Sequence, residues 1–557
     1  MLKNFIGGII VNVSKKVIGV TLAGALVLGS LGLANNGEKV EAKKDPTKAK
    51  NVIMLVMDGT SAGATTLARY YKGEKLALDE IMTGGVSTFS AESAITDSAP
   101  AATALATGNK SNDKYVGVLP SVVNSPGVDP SLTKNAFKPV VNVLEGAKAS
   151  GKATGIIATS EIQHATPAGF SAHVDQRSNY DTIAEQQVYQ GIDVVLGGGK
   201  EALELGSGKN NRKDGENLIE VIEEKGYDLV ETKDALLNSK SKKIWGAFAP
   251  NALAYDFDRE ETKPEEPTLA DMTGKAINTL SKDKDGFFLF VEGSKVDWAA
   301  HSNDPIGIIG DVLAFDSAVE KALDFAKKDK NTLVIAITDH ANSGITIGNL
   351  NTSSSYPSIP VSAYIDPLKK ASMTLEGALT KYNAGEVSLT EAAALYGLDQ
   401  LSNEESAKLK ASKNLGKTFV ELLSARANIG FTTGGHTGED VFLYSYGPGN
   451  PVGFIDNTDI AHTMAASMGF DLKRLDKNMF IKASDAFKGA TLKTDNTDGK
   501  NPVLTVKKGK KVAAFPVNKN IMIINGKETE LNSIVVQSKT GEFYVSKDTV
   551  NTFEKAK

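Results

Sequence analysis

Asn51–Gly59 reads NVIMLVMDG: one asparagine, six apolar residues, then an acid and a glycine. So short an apolar run, closed by a turn signal, suits a strand buried on both faces, the kind that builds parallel sheets. The form recurs at Lys152–Thr159 (KATGIIAT), Ile192–Leu196, Gly286–Val291 (GFFLFV) and Thr332–Thr338 (TLVIAIT). Helical patterns lie among them at Val140–Ala149, Ser178–Gln190, Asn217–Lys225, Leu269–Leu280 and Pro305–Lys327. Strand alternating with helix predicts an α/β fold, a large and mostly parallel sheet with helices on both faces.

Two regions depart from that rhythm. Residues 345–430 hold a Ser/Thr/Pro-rich piece, Asn351–Pro360, then a helical pattern over Ser388–Ala425, and read as an insertion. Asp440–Tyr446 returns to strand and Thr458–Met468 to helix. Past residue 495 the composition changes. Asn496–Asn501 is linker-like, and short alternating strands follow, with a hairpin signal at Asn525-Gly526 and a second turn at Gly541. Residues 496–557 are thus expected to form a small β module that depends on its neighbours for stability.

At the amino end, Lys3, Lys15 and Lys16 precede the apolar run Val17–Leu33, and Val40-Glu41-Ala42 has the small-residue spacing of a cleavage site. Residues 1–42 read as a signal peptide, leaving residues 43–495 as the main domain of a secreted, extracellular or cell-wall-associated chain. The chain has no cysteine, which excludes disulfides, thiolate zinc sites and a cysteine nucleophile. Its formal charge is −5, unevenly spread: residues 496–557 carry eleven Lys against six acids, beside an acidic body. That balance argues against nucleic-acid recognition and leaves the basic tail as a candidate for anionic surfaces such as cell-wall polymers.

The predicted strands end in chemistry. Asp58 follows the first, Glu292 follows GFFLFV, and Asp339-His340 closes TLVIAIT. One such acid is an ordinary cap or turn residue. Three at matching strand ends mark a site, because open α/β sheets bind ligands beyond their carboxyl ends. Asp297 and His301, four apart, share a helix face, and His436 sits in the glycine-rich TTGGHTG. Of the six histidines, His173 and His462 lie in helix-like or apolar patterns and read as structural. Carboxylate and imidazole without sulfur suit zinc with an open position, beside a harder oxygen site for magnesium. Ser98 follows Asp97 and opens the small-residue run to Gly108, with Pro100 in a tolerated early position. It is expected at a helix N-terminus, which favours an anion. Arg177, in AHVDQRSNY, is of the type that grips two phosphate oxygens at once.

As a set, these motifs resemble those of bacterial alkaline phosphatases. Ile95–Lys110 resembles the nucleophile motif. VMDG at Val56–Gly59, Glu161–Pro167, Val291–His301, Thr338–Ala341 and Gly434–Gly438 follow the family's order across about residues 50–470. The resemblance implies hydrolysis of small phosphate monoesters through a phosphoserine on Ser98, with two zinc ions and one magnesium. It implies Asp297, His301 and His436 on the first zinc, and Asp58, Asp339, His340 and the Ser98 oxygen on the second. Asp58, Thr166 and Glu292 would hold the magnesium, and Arg177 the phosphate. It further implies a crown-like insertion and a homodimer. His164 and Trp298 stand where one branch of the family has an acid and a lysine, which makes His164 a candidate ligand of the third site. The tail resembles extracellular stalk-type β modules through INGKETEL and EFYVSKDTV. The alternatives are a phosphodiesterase, which would need room for a second ester group beside Arg177, and a surface-binding protein that acts through the basic tail.

Overall fold

Every residue of Asn51–Met57 is buried, and side-chain alternation sends them to two different cores. Ile53, Leu55 and Met57 join one apolar cluster; Val52, Met54 and Val56 join the other. The computed structural model describes residues 47–556, so the expected signal peptide lies outside the described residues.

The strands of the main sheet are β1 (Asn51–Met57), β2 (Met82–Ser87), β3 (Ala153–Glu161), β4 (Val194–Gly198), β5 (Asp228–Val230), β6 (Ile244–Ala247), β7 (Phe287–Gly293), β8 (Thr332–Ile337), β9 (Val441–Tyr446) and β10 (Gly453–Asp456). Their order is β10-β2-β9-β8-β1-β7-β3-β4-β6-β5. Strand β9 runs antiparallel to both of its neighbours, and the other neighbouring pairs are parallel. The expected mostly parallel α/β sheet is therefore the fold. The 25-residue helix Pro305–Asp329 covers one face. Helices Ser98–Thr107, Val143–Ala149 and Asn457–Met468 pack on the other. Strands β2, β5, β6 and β10 have no counterpart among the sequence expectations, being short or, as in MTGGVS, rich in glycine.

Register places the chemistry. Val56 of β1 lies opposite Glu292 of β7 on one side and Ile337 of β8 on the other. Asp58 and Asp339 each follow that level by two residues, so three strand ends deliver their acids to one edge.

The insertion leaves and re-enters through two short ladders. His436–Thr437 pairs with Ala341–Asn342, and Thr346–Ile347 pairs with Ile429–Gly430. The single helical pattern expected over Ser388–Ala425 resolves into three helices, Leu389–Leu395, Asn403–Ala411 and Leu415–Arg426. Gly397 at φ +88° and the N-caps Ser402 and Asn414 divide them.

The C-terminal boundary needs correcting. Thr491–Asp495 pairs with Val503–Lys508, so Asn496–Asn501 is a hairpin loop rather than a linker. Even earlier, Ile481–Lys482 pairs with Phe543–Val545. The β module therefore begins near residue 481, and it belongs to the same compact unit as the rest of the described chain. The signal at Asn525-Gly526 is a true turn, with φ of +53° and +74°, joining Ile521–Ile524 to Lys527–Glu530. The chain closes in a helix, Lys547–Lys555, where more strand was expected; Ser546 caps it by accepting from the Thr549 amide. Phe487, Phe515 and Phe553 form the module's own core, while Ile534, Val536 and Tyr544 join the core of the body.

Candidate active site

Helix Ser98–Thr107 is buried along its whole length, and its alanines let it pack closely against helices Ala165–Gly169 and Asn457–Met468. Asp97 occupies the N-cap position, but its carboxylate does not cap the helix. Instead it accepts from Arg177 Nη1 at 2.5 Å, while Arg177 Nη2 lies 3.1 Å from His164 Nε2. Burial and the Arg177 charge push His164 down to about 3, so its imidazole is neutral and can accept that bond. The guanidinium is thus pinned at two nitrogens beside the helix N-terminus. Ser98 Oγ stands 3.2 Å from His340 Nε2.

Around Ser98 and Arg177 lie three groups of side chains able to hold a metal ion: Asp297, His301 and His436; Asp58, Asp339 and His340; and Asp58, His164 and Glu292. Within each, the ligand atoms are no more than 4.8 Å apart. His340 Nε2 is 3.3 Å from Asp339 Oδ2 and 3.5 Å from Asp58 Oδ1. Thr166 Oγ1 donates to Asp58 Oδ2 at 3.3 Å. In the first group, His301 Nδ1 donates to the Gly434 carbonyl and His436 Nδ1 to the Thr96 carbonyl, both at 2.9 Å. Those bonds orient both rings and bring their Nε2 atoms to 3.2 Å of one another. Asn342 Nδ2 orients Asp297 by donating to its Oδ1 at 2.7 Å. Gly59, at φ +63°, permits the approach of Asp297: a Cβ there would meet Asp297 Oδ1 at 2.3 Å.

The electrostatics ask for cations. Burial, then the charges of Asp339, Asp297 and Glu292, hold Asp58 well above the usual carboxylate range. Burial pushes Glu292 up to about 8. Both Glu292 oxygens, Asp58 Oδ1 and Asp339 Oδ2 have no hydrogen-bond partner among the described residues. Asp297 differs: burial would raise it, but the His436 hydrogen bond and the neighbouring imidazoles hold it low. Burial would lower His436, yet its bond to Asp297 lifts it to about 9. Orphaned buried carboxylate oxygens beside imidazole nitrogens fit zinc and a harder divalent ion.

A pH prediction follows from the signs. Without metal, folded Glu292 keeps a proton that the unfolded chain releases near pH 4.3, so the folded state loses ground until about pH 8. The stability contributed by protonated His436 is full below about pH 6.5 and fades as pH rises through about 9. Metal-stripped protein should therefore melt at progressively lower temperature from about pH 5 to about pH 9, and zinc with magnesium should flatten or reverse the trend. Calorimetric scans across that range check it.

The structure brings together every candidate site residue named from the sequence. His173 and His462 lie apart from the ligand groups. His173 bonds to the Gly117 carbonyl and to Glu145, each at 2.9 Å, and the His462 ring packs over Gly108. Trp298 meets His164 edge-on with ring centres 5.7 Å apart. Three contributors have no sequence signature of their own: Asp97 as the holder of Arg177, Gly59 as clearance, and Asn342 as orienter. Beside His301 opens a groove of about 670 Å³ whose lining includes Asn303, Asn349, Asn414, Lys417 and Phe431.

The alkaline phosphatase family model matches residues 49–470. Alkaline phosphatase 3 of Bacillus subtilis is 37% identical over 478 residues, covering 81% of this chain and 96% of that protein. The crystal structure of Thermus thermophilus alkaline phosphatase superposes with a TM-score of 0.66 at 27% identity, covering 79% of this chain and 96% of that one. A TAB5 alkaline phosphatase in which a histidine is replaced by glutamate, described as having Mg bound in the M3 site, superposes at 0.54 with 26% identity, covering 76% and 99%.

Proposed function

The chain belongs to the alkaline phosphatase family, whose reaction is the hydrolysis of phosphate monoesters, and we propose that it performs this reaction through a phosphoserine on Ser98. Ser98 Oγ attacks phosphorus and the ester bond to the alcohol breaks; water then displaces Ser98 and releases inorganic phosphate. Arg177 donates to two non-bridging phosphate oxygens, and Asp97 and His164 hold its planar fork in position. The amides at the start of helix Ser98–Thr107 offset further negative charge. Asp297, His301 and His436 would hold one zinc, and Asp58, Asp339, His340 and the Ser98 oxygen a second. Asp58, Thr166 and Glu292, with His164 beside them, would hold the magnesium. When bound, these ions supply Lewis acidity to the attacking and leaving oxygens. The groove beside His301 is where the alcohol would lie. His164 is a softer donor than a carboxylate, so the third site should be less selective for magnesium.

The observation that carries the proposal is the placement of Ser98 Oγ 3.2 Å from His340 Nε2, with Arg177 anchored on the adjacent Asp97. Assay of an aryl phosphate, coupled to metal analysis of the purified chain, tests it. Chelation should abolish turnover, and zinc with magnesium should restore it. His301→Ala should lose bound zinc, and His462→Ala should retain it. Full turnover from protein stripped of metal would overturn the proposal.

The reading extends to export. The amino-terminal segment serves as a signal peptide, and the mature chain acts outside the cell as a homodimer. Among the described residues no helix is long and apolar enough to cross a membrane. Exposed lysines of the tail, Lys507, Lys510, Lys527 and Lys547, would meet anionic cell-wall polymers.

A further inference from the structure

The module beyond residue 470 lies outside the family match, yet its buried polar side chains reach directly into the catalytic body. Asn518 is buried, in the left-handed region at φ +64°, and held by its own amide donating to the Val535 carbonyl at 2.7 Å. Its Nδ2 donates to Glu185 Oε2 at 3.0 Å, and its Oδ1 accepts from Gln186 Nε2 at 3.0 Å. Gln186 passes the contact on. Its Oε1 accepts from the His173 amide at 2.7 Å, and its Nε2 donates to the His173 carbonyl at 3.2 Å. Lys519 adds ion pairs to Glu216 at 2.7 Å and to Glu185 at 3.4 Å. Lys539 pairs with Asp175 at 3.1 Å.

These contacts converge on one short loop. His173 precedes Arg177 by four residues and Asp175 by two, and the helix that carries Glu185 and Gln186, Tyr180–Gln190, begins three residues after Arg177. The body restrains the loop through the Val116–Val174 bridge, the Arg177 amide donating to the Lys114 carbonyl at 2.9 Å, and the His173 ring held between the Gly117 carbonyl and Glu145. The module therefore touches the loop directly at Asp175 and backs Gln186, which holds His173, and the loop carries the guanidinium to Asp97 and His164.

We propose that the C-terminal module is a brace that sets the position of Arg177, with Asn518 as the positioning residue. The proposal rests on Arg177 binding phosphate as described above. It departs from the sequence expectation of a tail devoted to surfaces, since Lys519 and Lys539 pair with acids of the body. Displacing a gripping side chain by about an ångström weakens reactant binding severely. A contact that serves only stability would lower the melting temperature and leave phosphate affinity alone.

The test uses the full-length, metal-loaded chain. Asn518→Leu keeps the side-chain size and removes both hydrogen bonds. It should raise the calorimetric dissociation constant of inorganic phosphate, and KM for an aryl phosphate, about tenfold, with a smaller change in kcat. In an Arg177→Ala background the same substitution should add nothing, because its effect passes through the missing guanidinium. Should Asn518→Leu fail to fold, the half-exposed Lys539 provides the second variant. Lys539→Ala should weaken phosphate binding in the same direction, and Lys539→Arg should restore it. An unchanged phosphate dissociation constant in folded Asn518→Leu, or an equal effect with and without Arg177, overturns the brace. If Arg177→Ala itself leaves phosphate binding intact, the reading of Arg177 fails and the brace with it.

Discussion

Ser98→Ala yields a folded chain that binds metal but forms no phosphoenzyme, with turnover of an aryl phosphate down by roughly 10⁴–10⁶-fold, the scale of nucleophile removal in other hydrolases. The fold should tolerate the change. Asp97, not Ser98, occupies the N-cap, and the contact of the Ser98 hydroxyl with His340 is the one side-chain hydrogen bond it loses. Residual activity would come from the groups that hold the phosphate, which remain in place. Quenching the wild type in acid with labelled phosphate, followed by peptide mapping, locates the covalent bond. Label on a residue other than Ser98 would refute the assignment.

Asp58→Ala should have the second-largest effect, because Asp58 belongs to two of the three ligand groups. The variant should retain one metal ion, at Asp297, His301 and His436, and lose turnover on the order of 10³-fold, the weight of several kcal/mol of charge stabilisation. Its metal-stripped form should behave in the opposite way. Asp58 is buried among Asp339, Asp297 and Glu292, all of which raise its proton affinity, so the carboxylate burdens the empty fold. Stripped Asp58→Ala should melt higher than the stripped wild type at pH 8. Elemental analysis and calorimetry read both effects, and a variant with full metal content and unaltered turnover would contradict them.

Much of this site was legible before any coordinates. The unbroken run of β1 announces a strand buried on both faces, and the acid after it announces the edge where ligands gather. Asp297 and His301 could be paired from spacing alone because helix Lys295–His301 puts them on one face. Other features carry no local mark. Asp97 and Arg177 meet across eighty residues of chain, and nothing at either position tells an ion pair from a solvated charge. The boundary at 495 was misplaced because a polar hairpin loop and a linker have the same composition, and only the pairing of Thr491–Asp495 with Val503–Lys508 tells them apart. The final helix was hidden because Ser546 can end a strand or cap a helix equally well.

The two ladders at the root of the insertion have an evolutionary consequence. His340 and His436 are separated by nearly a hundred residues of sequence, yet their rings stack with centres 3.7 Å apart. The pairing of Asn342 with His436 and of Thr346 with Gly430 fixes that spacing at the stem, whatever the intervening chain does. Lengthening a loop already closed adds little entropic penalty. Lineages can therefore shorten, enlarge or exchange the excursion while the catalytic metrics stay constant. The stem makes the reaction heritable apart from the surface above it, so new substrate preferences can be tried there without re-inventing the chemistry.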